Sequence, residues 1–333
     1  MVDDQLPSWA EVKGQFRDGS GILIGNGASQ AVWEKFAYQS LYDQAQSGVD
    51  HPLSSEDKKI FKSLQTKNFE LVLGALSTTS TITKILHKDE TFIRERYKNI
   101  QRALVEAVHS VHVRWDKVPQ ETLLQIRSAI LDFESVFSTN YDLLLYWAVM
   151  AGNASGEFKD YLWGENQEFD LTDTQISGSV TRVLYLHGGL HLYRLPSGAT
   201  IKRTAEPAKS LLDSFGVPFR DNATPLFITE GTSEDKLASI RRSDYLSFAY
   251  SCFSRREGPM VVFGHSLSDT DSHLVRAMKQ WGSFNVAISL RQDDSMKIVQ
   301  RKATLRNLLP NIKLLFFDAA THPLGMDKLR VTE

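Results

Sequence analysis

The sequence predicts an α/β fold built on a Rossmann-like, doubly wound and mostly parallel sheet with a helical insertion. Two observations carry this prediction. Short apolar runs recur along the 333 residues, and stretches with helical periodicity lie between several of them. Runs that are apolar throughout and end in turn residues are typical of strands buried on both faces of a parallel sheet. The alternation favours one domain, 1–333, with the insertion at about 54–127.

Seven runs fit this strand pattern, and turn or polar residues bound each of them. The predicted strands are Gly21–Gly25, Phe133–Phe137, Val183–His187, Pro225–Thr229, Met260–Gly264, Val286–Leu290 and Ile312–Phe317. A glycine-containing loop and a helical pattern follow the first strand, as in the first unit of a doubly wound sheet.

Helical periodicity accounts for much of the remaining chain. The segment Ala31–Gln46 has the pattern of an amphipathic helix, and from Ser54 to Arg127 apolar side chains recur at three- and four-residue spacing. Further helices are predicted at Ser239–Ser254 and Ser272–Trp281. The segment Gly152–Ser179 is rich in Gly, Asn, Ser and acidic residues, which predicts an irregular loop or lid.

Composition argues against several classes of protein. A net charge of −2 with 23% charged residues gives no overall attraction to nucleic acid or membranes, although a local basic groove stays open as an alternative. The basic pairs Arg241-Arg242 and Arg255-Arg256 are interpreted as a solvated face, from which one arginine could reach a phosphate. The single cysteine, Cys252, cannot form a disulfide framework or a four-cysteine zinc site. The first residues lack the pattern of a signal peptide, and no apolar run reaches the roughly 18 residues of a membrane span. We therefore expect a soluble cytoplasmic protein.

Polar residues follow five of the predicted strands. They are Gly25-Asn26-Gly27, Ser138–Asp142, His187-Gly188-Gly189, Thr229-Glu230-Gly231 and Gly264-His265-Ser266. A single polar strand end is usually only a turn. The carboxyl ends of parallel strands meet at one edge of the sheet, where open α/β folds bind ligands, so five such ends together predict a ligand-binding rim.

The segment Gly25–Ser29, GNGAS, is the candidate phosphate loop. Its two glycines allow a tight turn and a close backbone approach to a diphosphate, which the N-terminus of the following helix attracts. The dinucleotide fingerprint G-x-G-x-x-G is incomplete, because Gln30 occupies the third glycine position. A simple strand–helix turn explains the glycines equally well.

Two other motifs suggest esterase or metal chemistry, and both are incomplete. Phe263–Asp269, FGHSLSD, resembles a serine-hydrolase elbow, but Ser268 replaces the second glycine of G-x-S-x-G, which disfavours Ser266 as a nucleophile. His187 and His191 are four residues apart, but the glycine pair between them disfavours the helix that would bring them together on zinc. We expect a structural or substrate-orienting role for His191.

Taken in order, these motifs resemble those of the sirtuin-like family, specifically its bacterial branch associated with NAD-consuming anti-phage defence. The matching residues are Gly25, Gly27 and Ser29 of G-x-G-x-S, Ser138, Thr139, Asn140 and Asp142 of (T/S)-T-N-x-D, His187 and Gly188 of a His-Gly pair, and Gly264, Ser266 and Asp269 of G-x-S-x-x-D. The resemblance spans roughly residues 20–275. It also places Glu70, within Asn68–Leu73, on the pocket wall.

The resemblance implies that NAD is bound as a substrate and that its nicotinamide glycosidic bond is cleaved with water as the acceptor. One cysteine cannot build the zinc module of the sirtuin deacetylases, which disfavours acyl-lysine removal and implies no metal. In this chemistry Asn140 orients water or ribose, His187 accepts a proton, and Asp142 binds the nicotinamide amide or offsets positive charge. The implied NAD-binding residues are Gly25, Asn26, Gly27, Ser29, Thr139, Glu230, Gly264, Ser266 and Asp269.

The expected function is therefore an NAD+ glycohydrolase that depletes NAD in anti-phage defence. Such an effector is expected to form a homo-oligomer or to act with a translocase-type ATPase, without membrane or direct nucleic-acid binding. The alternative is a non-catalytic sensor that binds NAD or ADP-ribose. The presence of both Asn140 and His187 favours the enzyme, because a sensor would not need the pair.

Overall fold

Ten strands and twelve helices occupy the residues that the computed structural model describes, which are 4–16, 19–37, 40–152, 156–164, 166–175, 179–205, 210–217, 223–228 and 231–332. The strands are β1 (Gly21–Ile24), β2 (Ser135–Ser138), β3 (Phe158–Lys159), β4 (Thr181–Tyr185), β5 (Gly188–Arg194), β6 (Thr200–Lys202), β7 (Thr224–Phe227), β8 (Met260–Phe263), β9 (Asn285–Leu290) and β10 (Lys313–Asp318). The helices are α1 (Trp9–Lys13), α2 (Asn26–Val32), α3 (Leu41–Gln46), α4 (Ser55–Ser63), α5 (Phe69–Ile85), α6 (Thr91–Val111), α7 (Gln120–Leu131), α8 (Leu144–Met150), α9 (Ser233–Arg241), α10 (Asp244–Ser254), α11 (Ser272–Met278) and α12 (Ser295–Leu308).

Seven strands form a central sheet in the order β10-β9-β8-β1-β2-β4-β3. Every pairing in this sheet is parallel. From β1 at the centre the chain moves outwards through β2 to the edge strand β3 and places β4 between these two strands, and it later returns to place β8 on the other side of β1. The predicted Rossmann-like, doubly wound fold is therefore confirmed.

The central strands are apolar throughout because both of their faces are covered. All residues of β1, β2 and β8 are buried, and their apolar side chains belong to one core cluster. Gly21 marks the tightest point, since a Cβ there would lie 2.5 Å from the Sδ atom of Met260. Burial on both faces explains why these strands have continuous apolar runs instead of an alternating pattern.

One predicted strand belongs to a different sheet. The prediction that Pro225–Thr229 joins the parallel sheet is wrong, because β7 pairs antiparallel with β5 in a small sheet of order β6-β5-β7. Thr229 itself lies outside the described residues. Gly188, with φ +74°, turns the chain into β5 directly after β4. A short apolar run does not specify its partner, so periodicity alone could not assign the sheet.

Two predicted helices are each divided. Within Ala31–Gln46, α2 ends at Val32 because Trp33 is extended (φ −140°, ψ 113°). A new helix, α3, begins after Ser40, whose Oγ accepts a hydrogen bond from the Asp43 amide at 3.2 Å. Similarly, α9 and α10 divide Ser239–Ser254, since the Ser243 side chain caps α10. An N-cap serine inside a periodic segment marks a new helix start.

Four helices, α4 to α7, fill the region predicted as a helical insertion, and α5 packs against α6. The inner parts of α5 and α6 are buried, whereas their connecting end is exposed and carries both charged and apolar side chains. The exposed apolar residues of this hairpin tip are Ile82, Ile85, Leu86 and Phe92. No helix in the described part of the chain combines the length and apolar character needed to cross a membrane.

The segment Gly152–Ser179, predicted as an irregular loop or lid, contributes the edge strand β3, which pairs with β4. Residues 153–155, 165 and 176–178 of this segment lie outside the described residues.

Candidate functional site

A cleft of about 1090 Å³ runs along the carboxyl edge of the central sheet. Residues that follow β1, β2, β4, β8, β9 and β10 line it, from His187 after β4 to Ala320 after β10. The cleft crosses β1, where the two halves of the sheet meet and where open α/β folds bind ligands. The polar ends of several different strands therefore face one common cavity.

Three glycines hold the start of α2 against the loop after β8. A Cβ on Gly25 would lie 2.6 Å from the Cα of His265, and one on Gly27 would lie 2.7 Å from the Cα of Gly264. The amides of Gly25 and Gly27 donate to the carbonyl oxygens of Phe263 at 2.9 Å and Gly264 at 2.8 Å. These glycines permit close backbone packing, and their two amides are not free to bind a phosphate. The strand–helix turn is thus the better description of GNGAS.

Asn140 is held by α2. Its side-chain nitrogen donates to the Gly25 carbonyl oxygen at 3.1 Å and to the Ser29 Oγ at 2.8 Å. Both N–H groups of the amide are therefore used, and among the described residues no donor contacts its Oδ1. Because Asn140 lines the cleft, this oxygen can accept a hydrogen bond from a bound water or hydroxyl.

Asp142 holds the Ser29 side chain that contacts Asn140. Its Oδ2 accepts a hydrogen bond from the Ser29 Oγ at 2.5 Å, and its Oδ1 accepts one from the Leu144 amide at 2.9 Å. Burial raises the pKa of Asp142, although the hydrogen bond from Ser29 acts in the opposite direction. Both carboxyl oxygens already have partners, so the direct contact of Asp142 is with Ser29, and through Ser29 it helps to position Asn140.

His187 lies at the other end of the same rim, in contact with a second histidine. Its Nε2 is 3.0 Å from the Nε2 of His273 on α11, and the His273 Nδ1 is 3.1 Å from the Ser233 Oγ on α9. Burial lowers the pKa of His187 well below 6.5 and that of His273 to about 4. Both rings are therefore neutral near pH 7, and one of them donates to the other.

Asp271 adds charge to this histidine cluster. Its Oδ1 lies 2.8 Å from the Lys236 Nζ, and its Oδ2 lies 3.7 Å from the His265 Nε2. Burial acts to raise the pKa of Asp271, but His187 and Lys236 outweigh it and lower the pKa to about 2. Ligand atoms of His187, Asp271 and His273 lie within 4.8 Å of one another, a set that can hold a metal ion. Such an ion would have to displace the Lys236 ammonium from the carboxylate.

The other predicted binding residues divide between the cleft and its surroundings. Those that line the cleft are Asn26, Gly27, Thr139, Gly264 and Ser266. Those that do not are Gly25, Ser29 and Asp269, and Glu230 lies outside the described residues. The G-x-S-x-x-D match therefore brings its first two positions to the cleft, while Asp269 is exposed in a 3-10 turn.

Ser266 lies at the rim and is exposed. Its carbonyl oxygen accepts a hydrogen bond from the Arg301 guanidinium. Within the described chain no histidine forms a hydrogen bond with the Ser266 Oγ. The arrangement lacks the adjacent base that a serine nucleophile needs.

Glu70 and His191 both lie away from the cleft. The expectation that Glu70 lines the pocket is wrong, because Glu70 is buried 2.9 Å from Arg194, and burial raises its pKa. His191 is fully buried between Tyr146 and Tyr185, with ring centroids at 4.8 Å and 4.5 Å. The position of His191 fits the structural role expected for it.

Sequence reasoning missed Lys236, Asp271 and His273. The run DTDSH, Asp269 to His273, directly follows the motif GHSLS, and its alternating ionisable residues were the available signal. Lys236 gave none, because a lysine in a helical pattern is usually a solvated residue.

Comparison with protein families gives a match over most of the chain. A model described as a domain of unknown function (DUF4917) matches residues 22–324, most of the chain, and the protein belongs to this family. The matched segment contains most of the residues that line the cleft; Gly325, Asp327 and Arg330 lie beyond it. No curated protein matches the sequence.

Proposed function

We propose that this member of the family hydrolyses NAD+ to nicotinamide and ADP-ribose. The observation that carries the proposal is the anchored Asn140 and the neutral His187 on one rim of a long cleft. Adjacent strands lie about 4.8 Å apart, so the four intervals from β4 to β9 cover roughly 19 Å. A cleft of about 1090 Å³ with this length suits an extended dinucleotide.

In the proposed reaction the bond between the nicotinamide nitrogen and ribose C1′ breaks, and its electron pair stays on the nicotinamide ring. A water oxygen bonds to C1′ and loses a proton. The Asn140 Oδ1 holds the water or a ribose hydroxyl, and the neutral His187 ring offers an unprotonated nitrogen to accept the proton, although burial lowers its pKa and makes it a weaker base than a free imidazole. Asp142, which lines the cleft and was expected to bind the nicotinamide amide or offset positive charge, also acts through Ser29, which fixes Asn140.

NAD is the substrate in this proposal, and no metal takes part. The ammonium of Lys236 already neutralises Asp271, the carboxylate of the candidate metal-binding set. Treatment with a chelator should therefore leave NAD binding and turnover unchanged. A strict requirement for an added divalent metal would refute this part of the proposal.

We further propose a cytoplasmic role in anti-phage defence, in which a partner controls the activity, since constant NAD loss would harm the host. The exposed hairpin tip supports a contact with a second copy or with a translocase-type ATPase. Leu86 and Phe92 are 62% and 63% exposed there, and exposed apolar clusters mark interaction surfaces.

A non-catalytic sensor of NAD or ADP-ribose is the second candidate. The observation that favours it is the position of His187, which is 2% exposed and already in contact with His273. In a sensor this pair would stabilise the pocket without accepting a proton.

Chromatography of nicotinamide after incubation of purified protein with NAD+ separates the two candidates. The hydrolase predicts equal amounts of nicotinamide and ADP-ribose, formed with the protein alone or together with its genomic neighbours. Tight NAD binding without nicotinamide release under both conditions would refute the hydrolase and favour the sensor.

A further inference from the structure

The anionic part of a bound nucleotide needs donors other than the glycine amides. The Gly25 and Gly27 amides donate to the carbonyl oxygens of Phe263 and Gly264, and the α2 helix is only seven residues long. A diphosphate loses water when it enters a cleft, and its charge must then be met by other donors. Basic side chains that line the cleft are the candidates for these donors.

Five basic residues line the cleft, and their partners divide them into two groups. Lys236 lies 2.8 Å from Asp271, and Lys297 lies 2.9 Å from Asp293, so both of these charges are already paired. The other three, which form no ion pair with a described carboxylate, are Arg291, Arg301 and Arg330. Positive charge without a matching carboxylate is therefore concentrated on arginines.

Two of these arginines are held in place by neutral acceptors. The Arg291 Nη2 donates to the Gln30 Oε1 on α2 at 3.2 Å, and the Arg301 Nη2 donates to the Ser266 carbonyl oxygen. A guanidinium has five N–H donors, so each retains several for a ligand. The two contacts place Arg291 and Arg301 beside the two segments that meet at the switch point, α2 and the loop after β8.

We propose that Arg291 and Arg301 form a diphosphate subsite for a nucleoside diphosphate group. The planar fork of a guanidinium matches two phosphate oxygens, which makes arginine well suited to this ligand. Arg291 directly follows β9, and Asn140 follows β2, three strand intervals or roughly 14 Å away. Long arginine side chains shorten this gap, so one ligand can reach the subsite and the Asn140 rim together.

The identity of the complete ligand as NAD rests on the proposed function, whereas diphosphate recognition requires no turnover. ADP is therefore the probe, because it carries the diphosphate and lacks the nicotinamide ribose. Titration calorimetry would compare the wild type with Arg291→Gln and Arg301→Gln, and adenosine would serve as the ligand without phosphate.

Each glutamine variant should bind ADP about tenfold more weakly or worse, because it loses a charge-assisted contact. The double variant should lose more, and Arg301→Lys should fall between Arg301→Gln and the wild type. The control is Arg255→Gln, which removes the same charge from an exposed position outside the cleft. The control should bind ADP as the wild type does, and all variants should keep the thermal unfolding midpoint of the wild type.

Several results would overturn the subsite. They are failure of the wild type to bind ADP, equal binding of ADP and adenosine, and unchanged ADP affinity in both glutamine variants. If Arg255→Gln weakened ADP binding to the same extent, the effect would reflect only the net charge of the protein. Weakening of NADP binding alone would assign the arginines to a ribose phosphate instead.

The outcome does not depend on catalysis. Arginine-dependent ADP binding by a protein that releases no nicotinamide would keep the subsite and refute the hydrolase. Nicotinamide release by a protein whose ADP binding does not depend on these arginines would support the hydrolase and refute the subsite.

Discussion

The two sides of the cleft differ in how their polar groups are held. On the β2–β4 side, defined by Asn140 and His187, each side chain is nearly buried and bonded to a second polar residue, Ser29 or His273. On the β9 side, defined by Arg291 and Arg301, the guanidinium groups are more open to solvent and have neutral partners.

We interpret this difference as two separate roles, with catalysis on the β2–β4 side and anion binding on the β9 side. Buried and mutually bonded groups are held in fixed positions, as chemistry at a reacting atom requires, and removing one leaves its partner unsatisfied. Solvent-facing charges attract an anion over a longer range, and salt screens them. Substitutions on the β2–β4 side should therefore affect turnover and stability, whereas those on the β9 side should affect affinity and its salt dependence.

The largest effect is expected from the two residues that define the β2–β4 side. Asn140→Ala and His187→Ala should lower nicotinamide release by about 10²–10⁴-fold, the usual contribution of proton transfer and positioning of this kind. Asn140→Ala also leaves the Ser29 Oγ and the Gly25 carbonyl oxygen without this donor, so its unfolding free energy should fall by about 1–3 kcal/mol.

The matched control for the histidine is His109→Ala, which changes an exposed histidine of α6. Rates measured below each variant's unfolding temperature separate chemistry from stability. Nicotinamide release at the wild-type rate by either Asn140→Ala or His187→Ala would contradict the catalytic role of the β2–β4 side.

Acidification should destabilise the protein through its buried histidines. Burial lowers the pKa of His112 and of His273 to about 4 and that of His322 to about 3. An unfolded histidine titrates near pH 6.5, so between about pH 6.5 and 4 the unfolded state binds protons that the folded state does not. Stability should fall by about 1.4 kcal/mol per pH unit for each such histidine, and above pH 6.5 these groups should add no pH dependence.

Urea unfolding at about pH 7, 6 and 5 would measure this slope. Replacing His273 by Asn should reduce this slope by about 1.4 kcal/mol per pH unit, the contribution of one histidine. A stability that stays constant as the pH falls over this range would show that these rings titrate normally in the folded protein.

Ser29→Ala should have a smaller effect on turnover, and it tests whether Ser29 connects Asp142 to Asn140. Ser29 donates to Asp142 and accepts from Asn140, so its loss should cost about 1–3 kcal/mol of stability and lower turnover more than ADP affinity. Ser197→Ala, at an exposed turn, is the control. Calorimetry and nicotinamide release would test the prediction, and equal losses in affinity and turnover would contradict it.

The smallest effect is expected from Ser266→Ala. The Ser266 Oγ lies at the exposed rim, and its carbonyl oxygen, which contacts Arg301, survives the substitution. NAD affinity should weaken by only a few-fold, in line with loss of one exposed hydroxyl contact, while turnover at saturating NAD+ should remain. Complete loss of activity would instead indicate that Ser266 is a nucleophile.

The central sheet could be predicted from the sequence because burial on both faces leaves a continuous apolar run in each strand. The runs at β1, β2 and β8 are buried throughout and were assigned to the correct sheet for this reason. The runs at β4, β9 and β10 were assigned to the same sheet correctly, although β9 and β10 are only partly buried. The run at β7 is also buried, but it contains Pro225 and its partner is set by the turn at Gly188, which periodicity cannot detect. The helix break at Trp33 and Ser40 depends on a cap and was also missed.

The candidate site was predictable where residues follow strands. Asn140 and His187 line the cleft for that reason. By contrast, Lys236 and Arg301 lie on helices and reach the cleft only through packing, so no local pattern distinguishes them from solvated residues. Gly25 and Gly27 were found, but the contact that explains them is with Gly264, which is distant in sequence.

The interlocking of Gly25 and Gly27 with Gly264 has a consequence for the newly made chain. During synthesis β1 and α2 are made before α3 to α10, and β8 and its loop follow only after these helices. At about 5–20 residues per second, the ribosome leaves one edge of β1 without its partner for tens of seconds. A nascent chain or an early truncation product therefore lacks a closed cleft, so the ligand-binding side of the sheet is completed only after β8 and its loop have been made.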